Sequence, residues 1–494
     1  MSESKSSNLN ILKTTSLIGG VQFFSIIISI IRTKLISLFI GPAGMGIATL
    51  LSSSINIISG VSGLGIETSS IKRISGSYKN EDLNTVSTTI SVVRKLVLFT
   101  GIFGTLLTIV FSNWLSIIAF GNSSHMYSFI FLSITVLLKQ LSVGQLVVLQ
   151  GLRKMKFLAK ANFYGNLFGL LFSIPLYYYY QIDAIVPTII VASFSAFAFS
   201  FYYSKKVKIE VITIKQNQLI IEGKDIIQLG IMLTFSGLLT LLSTYLIQIY
   251  IGNFGSIEQV GLFNAGFTLL NSYVGIIFTV MSTDYFPRLS SICNDNDKIR
   301  ISVKQQALVS VLIITPIIIL FLIFIPLITK ILYSSKFISI IPMVCFGILA
   351  MLFKAVSWSM GFILIAKGDS AIFIKTAIGF SCLSLFLNIL GYHFYKLEGL
   401  GVSFLIYYLI HFFVVKIITK KRYGFYFDNK FYQIYLICIV MCCLTFLFRY
   451  IPNQNFKYTL MSIMAILSLG FVLFEINKKM ELKEIFKVLI KRNK

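Results

Sequence analysis

The chain has 494 residues, of which 56% are hydrophobic and only 12% charged, and its mean hydropathy is +0.85. A soluble domain carries about 25% charged residues, and an outer-membrane barrel shows short alternating segments instead of long apolar runs; both are excluded in favour of an all-α polytopic membrane protein. The net charge of +25 is spread over alternate loops, which points to membrane orientation and away from nucleic acid as a partner.

An apolar run of about 20 residues crosses a hydrocarbon core of about 30 Å. Fourteen such spans are predicted, over 13–38, 43–70, 87–111, 126–150, 158–180, 184–203, 226–251, 259–285, 306–331, 339–365, 371–392, 399–419, 433–449 and 458–475. No small-residue cleavage site follows the first run, so a retained helix is expected and not a signal peptide. With the N-terminus cytoplasmic, the inside segments and the inner ends of their spans hold 31 of the 43 Lys and Arg, and the outside loops and span ends hold four: Lys336, Lys396, Arg449 and Lys457. The positive-inside rule therefore predicts that both termini are cytoplasmic. The basic tail ELKEIFKVLIKRNK reads as a solvated or interfacial helix drawn to anionic lipid. The six cysteines are scattered and form no C-x-x-C pair, so neither a disulfide framework nor a metal site is expected. Cys438 and Cys442 share a helix face and read as small-residue packing.

Sliding the chain along itself until Gly46 falls on Gly261 aligns two halves without gaps. At this one offset Arg73 falls on Arg288, Asp82 on Asp297, Lys139 on Lys354 and Lys160 on Lys375. Of thirteen basic residues between 42 and 210, five land on another basic residue. Loop matching loop accounts for part of this, but not for Lys139 and Lys354, which lie near mid-helix. Each half holds six spans, an even number, so the halves form a parallel repeat of the kind that places a substrate cavity at its interface. The expected layout is an N-lobe over 1–210, a C-lobe over 211–425, and two further helices with a cytoplasmic tail over 426–494.

A Lys or Arg at mid-membrane costs about 2.5–3.5 kcal/mol. Snorkelling relieves this only near helix ends, which covers Arg94, Lys95, Lys330 and Lys416. Arg32 and Lys34 lie two positions apart, about 200° around a helix, so they cannot face the same way. Arg32 is assigned to a cavity, and Lys34 to the outer headgroups. A lysine stem cannot reach out from Lys139 or Lys354, so each needs a polar cavity, a counter-ion or an interhelical hydrogen bond; cavity lining is the assignment taken. No acidic residue sits at mid-span. Glu67 and Asp284 lie near inner ends at nearly corresponding places. They either pair with Arg73 and Arg288 as inner gates or cap their spans. A cationic interior suits an anionic substrate, and a pyrophosphate is the natural partner of Arg and Lys. His125, His393 and His411 are isolated, and no P-loop or catalytic triad pattern occurs. The run Tyr177–Tyr180 fits an interfacial aromatic belt.

The start of the chain, Lys13-Thr-Thr-Ser, then Arg32-x-Lys34, then Phe39-Ile-Gly41-Pro42-Ala43-Gly44-Met45-Gly46, resembles Wzx-type O-antigen translocases. So do Gly63-Leu-Gly65-Ile66-Glu67, Lys72-Arg73-Ile74 and Leu149-Gln150-Gly151-Leu152. These proteins belong to the superfamily that holds the MATE exporters and the lipid II flippase. The resemblance covers the fold from the start of the chain to about position 420, with its sharp motifs before position 155. It implies turnover of undecaprenyl-pyrophosphate-linked oligosaccharide across a bacterial inner membrane by alternating access between two six-helix lobes. No cofactor or enzymatic step is implied. The substrate-facing cations would be Arg32, Lys34, Lys139 and Lys354, and Glu67 the candidate for coupling, with Arg73, Asp284 and Arg288 as gating candidates. Polysaccharide polymerase and chain-length proteins are the expected partners. Two extra spans match the fourteen-span layout of lipid II flippases, which keeps that alternative open, together with a MATE-type cation antiporter.

Overall fold

A computed structural model of the chain describes residues 27–80, 82–207 and 216–480. Positions 13–26 of the first predicted span, and the basic tail from 481, lie outside the described residues. Among the described residues every regular element is helical: α1 (27–39), α2 (Gly41–Gly63), α3 (Ile66–Lys79), α4 (Leu83–Val110), α5 (Ser112–Phe120), α6 (Met126–Gly151), α7 (Met155–Tyr180), α8 (Ile185–Lys205), α9 (Gln216–Phe254), α10 (Ile257–Thr268), α11 (Ile276–Ser291), α12 (Asn296–Leu332), α13 (Ile341–Ala366), α14 (Ser370–Tyr423), α15 (Asn429–Phe448) and α16 (Gln454–Met480). Eleven helical stretches are long and apolar enough to cross a membrane. Two of them, Met155–Lys205 and Ser370–Tyr423, run for 51 and 54 residues, enough for two crossings each. Counting those two twice gives thirteen crossings among the described residues, and α1 is the described end of the first predicted span. The short helix α5 is additional to the predicted spans.

The described residues form two compact units. One runs to Leu262 and includes Ile331–Lys336; the other comprises Phe263–Lys330 and Phe337 onward. In the first, α4, α6 and α8 pack together, and α3 and α9 close on them. A core of Ile66, Ile74, Ile90, Val93, Val97, Val148 and Ile226 joins α3, α4, α6 and α9. The sequence GVSGLGIE breaks the second predicted span in two. Leu64 and Gly65 both take left-handed φ, at 48° and 67°. A Cβ on Gly65 would sit 2.2 Å from the Gly230 carbonyl oxygen, so glycine both permits the turn and lets α9 approach the backbone. In the second unit, α13 packs along α14, whose two halves meet at a break where Lys396 takes φ 50°.

The repeat is legible in the backbone. α6 and α13 share bounds at the offset that carries Gly46 to Gly261, and so do α7 and the first half of α14. Gln181 (φ 47°, ψ −117°) and Lys396 (φ 50°, ψ −133°) form the same turn, as do Arg153 (φ 55°) and Gly368 (φ 70°). Two departures stand out. The N-cap matching Asp82 of α4 is Asp295 of α12 and not Asp297, so the gapless match slips by two positions there. Where α2 continues as an α-helix, its counterpart passes through a π-helical turn, Leu269–Val274.

Candidate functional site

A cavity of about 900 Å³ opens within the first unit. Its walls are α2 and α3, α6, α7, α8 and α9, with Arg32 of α1. The charged residues on its lining are Arg32, Glu67 and Lys139, and the polar ones include Ser52, Ser59, Asn166, Gln140, Ser193 and Thr234. Small residues make the space: Gly60, Gly63, Gly65, Gly165, Ala192 and Ala196 all face it.

Arg32 reaches the cavity past Gly169, where a Cβ would lie 3.3 Å from its Nη2. Nη2 donates to the Asn166 carbonyl at 3.5 Å, and Nε is buried with no partner among the described residues. A guanidinium with donors to spare, beside an open volume, is built to meet an acceptor. Lys34 points elsewhere, as its place on the far side of α1 requires; its Nζ donates to the Tyr333 carbonyl. Lys139 lies near the middle of α6 and donates to Asn56 Oδ1 at 2.8 Å. The amide is neutral, so it orients the ammonium and leaves its charge whole. The next residue, Gln140, is buried and donates to the Ser59 carbonyl at 2.8 Å, which pins α6 to α2.

Lys354 lies in the second unit, near the middle of α13, and donates to Asn271 Oδ1 at 3.3 Å. Asn56 and Asn271 are separated by the same offset as Lys139 and Lys354. The repeat thus preserves the lysine together with its partner. Alignment of the halves could have found both asparagines, but a polar residue in a glycine- and serine-rich helix carries no signal by itself.

The gating candidates resolve differently in the two units. Arg73 does not pair with Glu67: it bonds Glu222 of α9. Six positions along an α-helix turn Arg73 about 240° away from Glu67. Glu67 keeps to the cavity wall, with no ion pair among the described residues. Arg288 meets Asp284 at 3.7 Å within one helical turn and donates to Gln306 at 3.1 Å. The Arg73–Glu222 pair joins α3 to α9 and is half-buried on both sides. Glu222→Lys is expected to lower the unfolding temperature in detergent by several degrees, since it sets two cations together. The double exchange Arg73→Glu/Glu222→Arg should restore most of the loss. Equal stability of the single reversal and the native chain would remove this pair from the account of the fold.

Eleven long apolar helical stretches among the described residues, with a polar, cation-bearing cavity in the first unit, define a class, a multi-pass membrane protein. Residues 10–342 match the family described as "Polysaccharide biosynthesis protein", and the chain belongs to that family. No curated protein matches it. Among solved structures it is similar to the lipid II flippase MurJ in an inward closed conformation, at 14% identity and a TM-score of 0.68 over 94% of this chain and 99% of that one. It is similar to an inward-facing multidrug resistance MATE transporter of the MOP superfamily, at 12% identity and a TM-score of 0.68 over 81% and 94%. A further likeness is to a MOP superfamily transporter from Pyrococcus furiosus, described as having a binding pocket of reversed polarity, at 12% identity and a TM-score of 0.60 over 83% and 96%. At these identities the likeness is one of fold: this chain has the fold of MOP superfamily transporters.

Proposed function

We propose that this protein is a flippase for undecaprenyl-pyrophosphate-linked oligosaccharide, carrying a surface-polysaccharide repeat unit such as O-antigen from the cytoplasmic to the periplasmic leaflet of a bacterial inner membrane. The observation that carries this reading is the pairing of two deep cations, Arg32 and Lys139, with neutral hydrogen-bond partners on a cavity of about 900 Å³. Neither cation meets a carboxylate among the described residues, so an anionic ligand supplies what the site lacks. A diphosphate accepts from guanidinium and ammonium donors together. The hydroxyl and amide walls suit polar groups attached to it. Membership of a polysaccharide biosynthesis family favours a polysaccharide unit as the cargo. A MATE-type cation antiporter fits less well, because Glu67 is the sole carboxylate on the described lining.

A second reading, a lipid II flippase, draws on the 99% coverage of MurJ. Depletion separates the two. Lipids extracted from cells lacking the protein should accumulate a complete lipid-linked oligosaccharide on the cytoplasmic leaflet, with surface polysaccharide lost and peptidoglycan synthesis intact. Accumulated lipid II with intact polysaccharide would transfer the assignment to the second reading.

A further inference from the structure

The repeat that preserves the Lys–Asn pair reverses what surrounds it. Six residues without rings line the first unit's cavity: Gly63, Val143, Gly165, Ala192, Ser193 and Ala196. At the repeat offset the second unit has Phe278, Trp358, Phe380, Tyr407, Tyr408 and His411. Each of these six positions becomes a ring.

The rings gather around Lys354. Its Nζ stands 5.3 Å from the Tyr408 ring and 5.5 Å from that of Phe278. Phe278 lies 5.5 Å from Trp358, while Tyr408 continues to Tyr407 at 4.9 Å, and His411 reaches Phe380 at 4.2 Å. Cation–π contact holds the ammonium against ring faces; Lys139 faces a wall of small residues instead. Arg32 and Glu67 also have no charged counterparts, since the matching positions are Ile247 and Ser282. The second unit has therefore kept Lys354 and lost the other charges of the set.

Filling space alone does not account for the choice of rings. Phe278 is buried, but Trp358, Phe380, Tyr407, Tyr408 and His411 stay partly exposed, unlike the fully buried Tyr285, Tyr333 and Tyr392. Polar atoms sit among them. His411 Nδ1 is buried without a partner among the described residues, and the Asn271 amide and the Lys354 ammonium share the group. Buried polar atoms ordinarily find partners, and Asn271 lies on the π-helical turn, a departure from regular helix that is frequent at functional sites. Ring faces flanked by hydroxyl, amide and ammonium groups match an uncharged, hydroxyl-rich ring: the C–H face of a pyranose stacks, and its hydroxyls meet the polar atoms.

We propose that the Lys354 cluster of the second unit is a binding site for uncharged sugar rings, whereas the Arg32–Lys139 cavity of the first unit is the anion site. The assignment rests on the flippase reading for the source of the sugar. The chain supplies its own reporter, since Trp114 and Trp358 are its two tryptophans. Trp114 is exposed on α5 of the first unit. In purified Trp114→Phe protein, Trp358 emission should change saturably with oligosaccharide released by mild acid from the cells' lipid-linked intermediates. Inorganic pyrophosphate should leave it unchanged. Tyr408→Leu and, separately, Asn271→Ala should weaken the glycan response at least tenfold, and Lys139→Gln should leave it within twofold. Absence of a glycan response in the Trp114→Phe protein overturns the proposal without needing any further variant. A pyrophosphate response removed by Lys354→Gln also overturns it, making Lys354 a second anion site. A chain that flips lipid-linked oligosaccharide while Trp358 ignores the glycan loses this inference alone; a chain that does not flip it loses the underlying reading.

Discussion

Arg32→Gln combined with Lys139→Gln is expected to abolish flipping of a diphosphate-linked oligosaccharide in reconstituted vesicles while the protein still inserts and folds. A hydrogen bond to a charged group contributes about 1.5–3 kcal/mol, so each single substitution should cost roughly ten- to hundredfold in rate at low substrate, with about 1.4 kcal/mol per tenfold. Insertion should not suffer, because each change removes a charge from a spanning helix, and at mid-membrane, where Lys139 lies, a charge costs about 2.5–3.5 kcal/mol. Lys139→Arg keeps the charge and should retain more activity than Lys139→Gln. The check is an initial flipping rate measured beside the unfolding temperature of the same preparation. Full activity in the double variant would show that the cavity's cations do not meet the substrate.

Gly46→Ala is the second large effect, this time on stability. The backbones of α2 and α10 touch at one crossing. A Cβ on Gly46 would lie 1.9 Å from the Ile257 carbonyl oxygen, and one on Gly261 2.0 Å from that of Pro42. The two contacts are the same contact exchanged across the repeat, since Pro42 and Ile257, like Gly46 and Gly261, are partners at the repeat offset. In both cases a backbone carbonyl blocks the new methyl, so no rotamer change relieves it. Small residues at such crossings let helices approach closely in membranes. The loss should fall at the upper end of the about 1–3 kcal/mol typical of overpacking, and Gly46→Val should exceed it. Gly470→Ala, where nothing lies within 4 Å of the added carbon, is the neutral control. Comparable unfolding temperatures for Gly46→Ala and Gly470→Ala would contradict the crossing.

The long apolar helices were legible because hydropathy reads them directly. The repeat was legible for a related reason: α6 and α13 keep both their bounds and their central lysines at one offset. Helix geometry separated Arg32 from Lys34 before any side chain was placed. What stayed hidden depends on long-range contact. Arg73 finds Glu222 on a helix far along the chain, and local spacing could suggest only Glu67. The break at Leu64–Gly65 exists because α9 arrives at Gly230, a meeting that Gly63-Leu-Gly65 allows but does not announce. The π-helical turn at Leu269–Val274 has no composition that sets it apart. The exchange of small residues for rings was present in the aligned halves, yet it gained meaning only when the structure showed which of those positions line a cavity.

The most direct measurement is flipping by the purified full chain in vesicles carrying radiolabelled undecaprenyl-pyrophosphate oligosaccharide on both leaflets, with a membrane-impermeant glycan-modifying reagent added outside. The expected result is modification of nearly all the glycan, through exchange of the inner pool to the outer face, and its return toward half in the Arg32→Gln/Lys139→Gln protein. Modification of only the outer half by the native chain, as in protein-free vesicles, would contradict a flippase for this class of lipid.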